Sequence, residues 1–132
     1  MSKTTCNEKV LITGFAGFIG MHLCRSLLQD GYVIHGIDNI NTYYEKSLKI
    51  DRIKKIKVFS NFSYDIADLK NLNSLNEIFE KFKFKPDKVV NLAAQAGVQF
   101  SIVDPFSYIG SNIHGFMNII YCCRRYKVKG LI

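Results

Sequence analysis

Short apolar runs alternate along this chain with stretches in which apolar residues recur every three or four positions. Residues 9–13, Lys9-Val10-Leu11-Ile12-Thr13, form a compact apolar run that ends at a glycine, as a strand buried on both faces does. Over residues 18–30, Ile19, Leu23, Leu27 and Leu28 fall at helical spacing, and Gly31 supplies the stop. Residues 32–37 predict a second strand, closed by Asp38-Asn39. A basic helix follows over 43–56, with Leu48, Ile53 and Ile56 available for its inner face. Phe62-Ser63-Tyr64 is a short third strand ending at Asp65, and Leu69, Leu72, Leu75, Ile78, Phe79 and Phe82 mark the next helix. Pro86-Asp87 breaks it ahead of a fourth strand at 88–92. A long helix is predicted over 105–126 with Ile109, Ile113, Phe116, Ile120 and Cys123 on its inner side. Gly130-Leu131-Ile132 then reads as the start of a fifth strand.

Strand–helix alternation of this kind implies parallel strands joined by right-handed crossovers, with helices on both faces of the sheet. The predicted class is α/β, a doubly wound parallel sheet that runs through the fourth strand and the start of the fifth. One domain is the most that 132 residues make.

Composition narrows the classes further. The chain is 48% hydrophobic and 22% charged, which excludes collagen-like, coiled-coil and disordered proteins. No apolar run approaches the ~18–20 residues of a membrane helix, and residues 1–6 precede no apolar signal core. A cytoplasmic protein without a membrane partner is expected. Cys6, Cys24, Cys122 and Cys123 have neither disulfide-framework nor zinc spacing, so no metal is expected and the thiols read as buried or half-buried. The net charge is +7, and lysines cluster at Lys46, Lys49, Lys54, Lys55, Lys57 and again at Lys81, Lys83, Lys85, Lys88. Both lie on or just after amphipathic helices, where a solvated face explains them, and no nucleic-acid-binding motif accompanies them.

The strongest local signal is Thr13-Gly14-Phe15-Ala16-Gly17-Phe18-Ile19-Gly20, placed between the first strand and the first helix. Gly14 lets the chain turn off the strand, Gly17 removes a Cβ where a pyrophosphate must approach, and Gly20 lets the helix pack closely. Free N–H groups at the helix start would then face the phosphates. Asp38 ends the second strand about 20 residues further on, where a carboxylate accepts from ribose hydroxyls and repels a 2′-phosphate. This favours NAD over NADP. Asp65-Ile66 ends the third strand, within reach of the adenine. Leu92-Ala93-Ala94-Gln95-Ala96-Gly97 supplies small residues where a dinucleotide would cross the sheet edge, or where a crowded strand–helix corner needs them.

The decamer Leu11-Ile12-Thr13-Gly14-Phe15-Ala16-Gly17-Phe18-Ile19-Gly20 resembles the opening of the extended short-chain dehydrogenase/reductase family, with its Rossmann-type sheet. Asp38-Asn39-Ile40-Asn41-Thr42-Tyr43-Tyr44, then Ser47-Leu48-Lys49, then Asn91-Leu92-Ala93-Ala94-Gln95-Ala96-Gly97-Val98 are similar to the UDP-glucuronate 4-epimerase branch of the nucleotide-sugar epimerases. The resemblance implies NAD as cofactor, with Gly14, Gly17, Phe18, Ile19 and Gly20 at the pyrophosphate and Ala16 in the same cofactor-binding turn. Asp38, Asn39 and Asn41 would lie along the adenosine ribose, Asp65 and Ile66 at the adenine, and Leu92, Ala93 and Gln95 beside the nicotinamide. Asn112, with Gly115 and Asn118 in an Asn-x-x-Gly-x-x-Asn run, would tie the long helix to the fourth strand. The chain departs from the family at Gln99-Phe100, where Arg-Tyr is common near the nucleotide sugar. Many relatives also carry histidine at the position of Asn91.

Such enzymes oxidise the sugar at C4 with NAD and reduce the ketone from its other face, a tyrosine with a lysine four residues later handling the proton. Four residues after Tyr32, Tyr43, Tyr44, Tyr64, Tyr108, Tyr121 and Tyr126 stand Gly36, Ser47, Leu48, Asp68, Asn112, Arg125 and Gly130, none of them lysine. The resemblance therefore implies the N-terminal, NAD-binding part of an epimerase, inactive alone. It takes a UDP-sugar only when the chain is completed, and its expected protein partners are a second copy, as a homodimer, or a complementing fragment. The alternatives are a non-catalytic dinucleotide-binding or scaffold module pairing through an open edge at the fourth strand, or part of a related dehydratase or epimerase.

Overall fold

The computed structural model describes residues 6–81 and 85–132. Phe82 and Lys83, singled out above, lie outside the described residues, as do residues 1–5.

The strands are β1 (Lys9–Thr13), β2 (Val33–Asp38), β3 (Phe62–Ile66), β4 (Lys88–Asn91) and β5 (Gly130–Leu131), all parallel, in the order β3-β2-β1-β4-β5. Helices α1 (Phe18–Gln29) and α2 (Lys46–Ile56) cover one face. Helices α3 (Leu72–Lys81) and α6 (Phe116–Arg125) cover the other. Alternate residues of β1 feed the two cores: Val10 and Ile12 meet Met21, Cys24 and Ile53, while Leu11 meets Leu75, Ile119 and Cys122. This is the doubly wound arrangement expected from the alternation. Because the chain leaves β1 toward β2 and β3 on one side and toward β4 and β5 on the other, a crevice opens at the carboxyl ends of β1 and β4.

Four expectations are corrected. Ile19 of α1 faces outward, two-thirds exposed, and Gly20, Met21, Cys24 and Leu28 make the buried row. In α2 the inner row is Lys49, Ile53 and Ile56, not Leu48, which is 48% exposed. The i, i+4, i+7 spacing through the two isoleucines selects Lys49, and an ion pair described below satisfies its charge.

The long helix differs most. Helix α4 (Phe100–Val103) precedes it, and the expected single helix divides into α5 (Pro105–Tyr108), a π-helical stretch (Ile109–Gly115) and α6. Its buried row is Gly115, Asn118, Ile119, Cys122 and Cys123. Ile109, Ile113, Phe116 and Ile120, expected inside, are exposed, Ile113 by 64%. The helix carries two apolar stripes. The row containing Asn118 packs against α3 because its amide donates to the Leu69 carbonyl (2.8 Å) and because Gly115 admits Leu69 closely.

The open edge at β4 is also revised. Leu131 pairs with Val89, Ile132 donates to the Val89 carbonyl (2.9 Å), and Asn91 donates to the Ile132 carbonyl (2.7 Å), so β4 is covered.

Cys24, Cys122 and Cys123 are buried and Cys6 is half-buried, all four thiols free. Burial pushes the Cys24 thiol up to about 12 and the Cys122 thiol up to about 11, which keeps both protonated and inert. Among the described residues no helix is long and apolar enough to cross a membrane, and no three His, Cys, Asp or Glu side chains cluster as a metal site.

Candidate functional site

The cleft begins where β1 ends. Gly14 has φ +71°, its N–H donates to the Ile37 carbonyl (2.8 Å), and its carbonyl accepts from Gly17 N–H (3.0 Å). Only a residue without a Cβ fits, since an added Cβ would stand 2.8 Å from the Ala93 nitrogen. The turn is anchored from beneath by Phe15, which is fully buried against Phe62 and Tyr64 (ring centres 5.6 and 5.4 Å). Gly36 of β2 makes the room, because a Cβ there would meet the Phe15 ring at 2.5 Å. Helix α1 starts at Phe18 with no side-chain cap on Gly17, so the first-turn N–H groups have no intrahelical acceptor.

One strand over, Asp38 is 5% exposed and Lys49 7%. Asp38 Oδ1 accepts from Lys49 Nζ (2.9 Å) and from Ile40 N–H (2.8 Å), and its Oδ2 accepts from Ala16 N–H (3.2 Å). The carboxylate therefore stitches the glycine turn to the end of β2. Three of about four lone-pair positions are used, and Oδ2 retains one. Ile40 pays for the local turn with φ +49°, a region β-branched residues rarely enter. Asn39 Oδ1 accepts from Asn41 N–H (3.2 Å), folding the rim of the loop.

At β4, Thr13 Oγ1 donates to Asn91 Oδ1 (2.6 Å) and accepts from Ala93 N–H (3.2 Å), holding the Leu92–Gln95 segment beside the glycine turn. Asn112, although exposed, makes a two-way clasp: its Oδ1 accepts from Gln95 N–H (2.8 Å) and its Nδ2 donates to the Gln95 carbonyl (3.0 Å). It thus ties the long helix to the segment after β4. It sits in the π-helical stretch, a feature that recurs at functional sites.

Of the sequence-predicted residues, Gly14, Gly17, Asp38, Asn39, Asn41, Leu92, Ala93 and Gln95 line one cleft. Ala16, Phe18, Ile19 and Gly20 form the turn and helix start beside it. Asp65 and Ile66 end β3 without lining it, the wall there being Ala67, Asp68 and Leu69. Lys49, Tyr43, Tyr44 and Ser111 also line the cleft, with no role assigned from sequence. A lysine at an apolar-row position of α2 was the available signal for Lys49. The Tyr43 ring packs at a tilt against Phe100 (ring centres 5.1 Å apart), so the loop after β2 touches the chain after β4.

Asp65 points instead at His35, whose Nε2 lies 3.0 Å from Asp65 Oδ2 and whose Nδ1 lies 2.7 Å from Ser63 Oγ. Burial depresses the imidazole's pKa below its ordinary 6.5, against the pull of Asp65. The unfolded chain then binds the proton more readily than the folded one. This contribution to stability is complete above pH ~6.5 and is lost as pH falls below it. Urea unfolding of His35→Asn should show a flatter pH dependence between pH 7 and 5 than the wild type, and identical slopes would refute the assignment.

Residues 11–131 match the model of the GDP-mannose 4,6 dehydratase family. The chain belongs to that family. As a member of it, the chain is 49% identical over 124 residues to Protein CapI of Staphylococcus aureus, covering 94% of this chain and 36% of that protein. It is 38% identical over 122 residues to UDP-glucuronate 4-epimerase 2 of Arabidopsis thaliana, covering 92% of this chain and 27% of the plant enzyme. Among solved structures, UDP-glucuronic acid 4-epimerase from Bacillus cereus, in complex with UDP-glucuronic acid and NAD, superposes with a TM-score of 0.79. It is 32% identical and covers 93% of this chain and 38% of that one. The resemblance drawn from the glycine turn, the Asp38 segment and the Asn91 segment is borne out at the level of the family. The chain spans about a third of the length of these relatives.

Proposed function

We propose that the cleft seats NAD for a nucleotide-sugar epimerase acting on a UDP-sugar such as UDP-glucuronate, and that residues 1–132 are its dinucleotide-binding part, acting in the cytoplasm. The observation that carries this reading is the convergence of a bare glycine turn and the Asp38 carboxylate on one cleft. The residues fit the group. A Cβ on Gly17 would meet only the Gly14 carbonyl oxygen, at 3.1 Å, so that face of the turn is open to a phosphate.

In this reading Gly14, Gly17 and the N–H groups of Phe18, Ile19 and Gly20 hold the pyrophosphate against the positive end of α1. Asp38 uses its remaining lone pair for a ribose hydroxyl, with Asn39 and Asn41 alongside. Ala16 acts through its N–H by fixing the carboxylate, and the exposed Ile66 borders the adenine from the end of β3, beyond the cleft wall, with Asp65 turned to His35 beside it. Leu92, Ala93 and Gln95 border the nicotinamide, with Asn112 fixing Gln95. When bound, NAD supplies the hydride acceptor for the sugar C4. Among the tyrosines present, none has the lysine that would lower its pKa for proton transfer, so that pair comes from outside these residues.

Two outcomes follow. Calorimetry should show weak binding of NAD, tighter than of NADP. The chain incubated with NAD and UDP-glucuronate should yield no epimer by NMR. Detectable conversion would contradict the division of labour proposed here, and absence of any NAD binding would contradict the reading itself.

A second reading, a non-catalytic dinucleotide-binding module that pairs with a second copy of itself, is favoured by an exposed apolar stripe. Phe106, Ile109, Ile113 and Met117 lie outward along α5, the π-helical stretch and α6, Phe106 by 79%. It predicts association that rises with concentration in sedimentation velocity and is abolished by Ile109→Lys with Ile113→Lys. A monomer at every concentration would count against it.

A further inference from the structure

Helix α2 spends a position of its apolar row on Lys49, and burying an ammonium there carries a desolvation cost that isoleucine or methionine would avoid. What it meets is the one carboxylate placed for the ribose, 2.9 Å away. Three residues on, on the same side of the helix, Arg52 Nη1 donates to the Ala16 carbonyl (3.3 Å), and its guanidinium carbon lies 5.9 Å from the centre of the Phe18 ring. Ala16 is thus held by Asp38 through its N–H and by Arg52 through its carbonyl. Lys49 and Asp38 line the cleft, while Arg52 sits behind the glycine turn beside them, and among the described residues no other carboxylate pairs with either cation.

A lone carboxylate at this place rejects a 2′-phosphate by charge as well as by bulk. Here the charge part is offset by Lys49, and Arg52 tips the local balance positive. The geometry points to Lys49 and Arg52 as the residues that set dinucleotide selectivity: by offsetting Asp38 they make the site tolerant of a 2′-phosphorylated adenine dinucleotide, with NAD still preferred. Bulk and the ribose hydrogen bond maintain the preference, while the repulsion that would make it steep is cancelled. The inference rests on the NAD reading above and concerns only the ribose end of that site.

The test is the ratio of dissociation constants, Kd for NADP over Kd for NAD, measured by calorimetry on the full 132-residue chain. General damage to the fold weakens both ligands alike and leaves the ratio in place, whereas a charge effect at the 2′-position moves it. Lys49→Gln keeps a hydrogen-bond donor for Asp38 but removes the charge, and should raise the ratio about tenfold, the size of one charge acting over several ångströms at a protein surface. Lys49→Arg should stay near wild type. Arg52→Gln, at a half-buried position that tolerates substitution, should raise the ratio less, and it decides the matter if Lys49→Gln fails to fold. An unchanged ratio in the folded variants, with NAD still bound, overturns this inference alone. A wild-type chain that binds neither dinucleotide overturns the NAD reading and this inference together.

Discussion

Gly20→Ala is expected to lower the free energy of unfolding by about 3 kcal/mol, the upper range of ordinary overpacking. An alanine Cβ at this position would collide with the Gly14 carbonyl oxygen and stand 2.8 Å from Phe15 Cα. Both obstacles are backbone, so no rotamer change relieves them. Neither can retreat, because Gly14 is bonded to β2 and Phe15 is wedged over Gly36. Urea unfolding followed by circular dichroism should show an earlier midpoint with an unchanged slope. A shift of less than about 1 kcal/mol would mean that α1 can slide off the turn, and that the glycine serves something other than close packing.

Asp38→Ala should be as severe for a different reason. It leaves the Lys49 ammonium buried without its partner and takes the acceptor from the N–H groups of Ala16 and Ile40. Breaking one side of a buried pair costs about 3–5 kcal/mol. Removing Lys49 as well, as Asp38→Ala with Lys49→Met, should recover part of that loss, since methionine completes the apolar row with Ile53 and Ile56. Equal stability of the single and double variants would show that the pair is not coupled. NAD binding should be lost in both, because the ribose acceptor is gone in each.

The alternation of strands and helices was legible because a parallel strand covered on both faces needs a short unbroken apolar run. Leu11-Ile12 and Val89-Val90 are that. The glycine turn was legible because its spacing leaves few other uses. The inner face of the long helix was not: Ile109, Ile113 and Ile120 form as good an apolar row as Ile119 and Cys122. The deciding contacts, Asn118 to the Leu69 carbonyl and Gly115 against Leu69, span residues far apart in sequence. Only its spacing to Ile53 and Ile56 marked Lys49 in the sequence. In a helix rich in lysine, a buried one looks like its solvated neighbours until the strand carrying Asp38 is placed beside it. The His35–Asp65 contact needed the register of β2 on β3, which puts His35 opposite Ser63 and two residues from Asp65.

The central claim is that a dinucleotide lies with its diphosphate on the glycine turn and its adenosine ribose at Asp38. Titration of the isotope-labelled chain with NAD, followed by the backbone amide resonances, tests it most directly. The largest shifts should fall on Gly17, Phe18, Ile19, Gly20, Ile40 and Ala93, with the Ala16 amide moving as Asp38 takes up the ribose. Shifts confined to other residues, or none at saturating NAD, would contradict it.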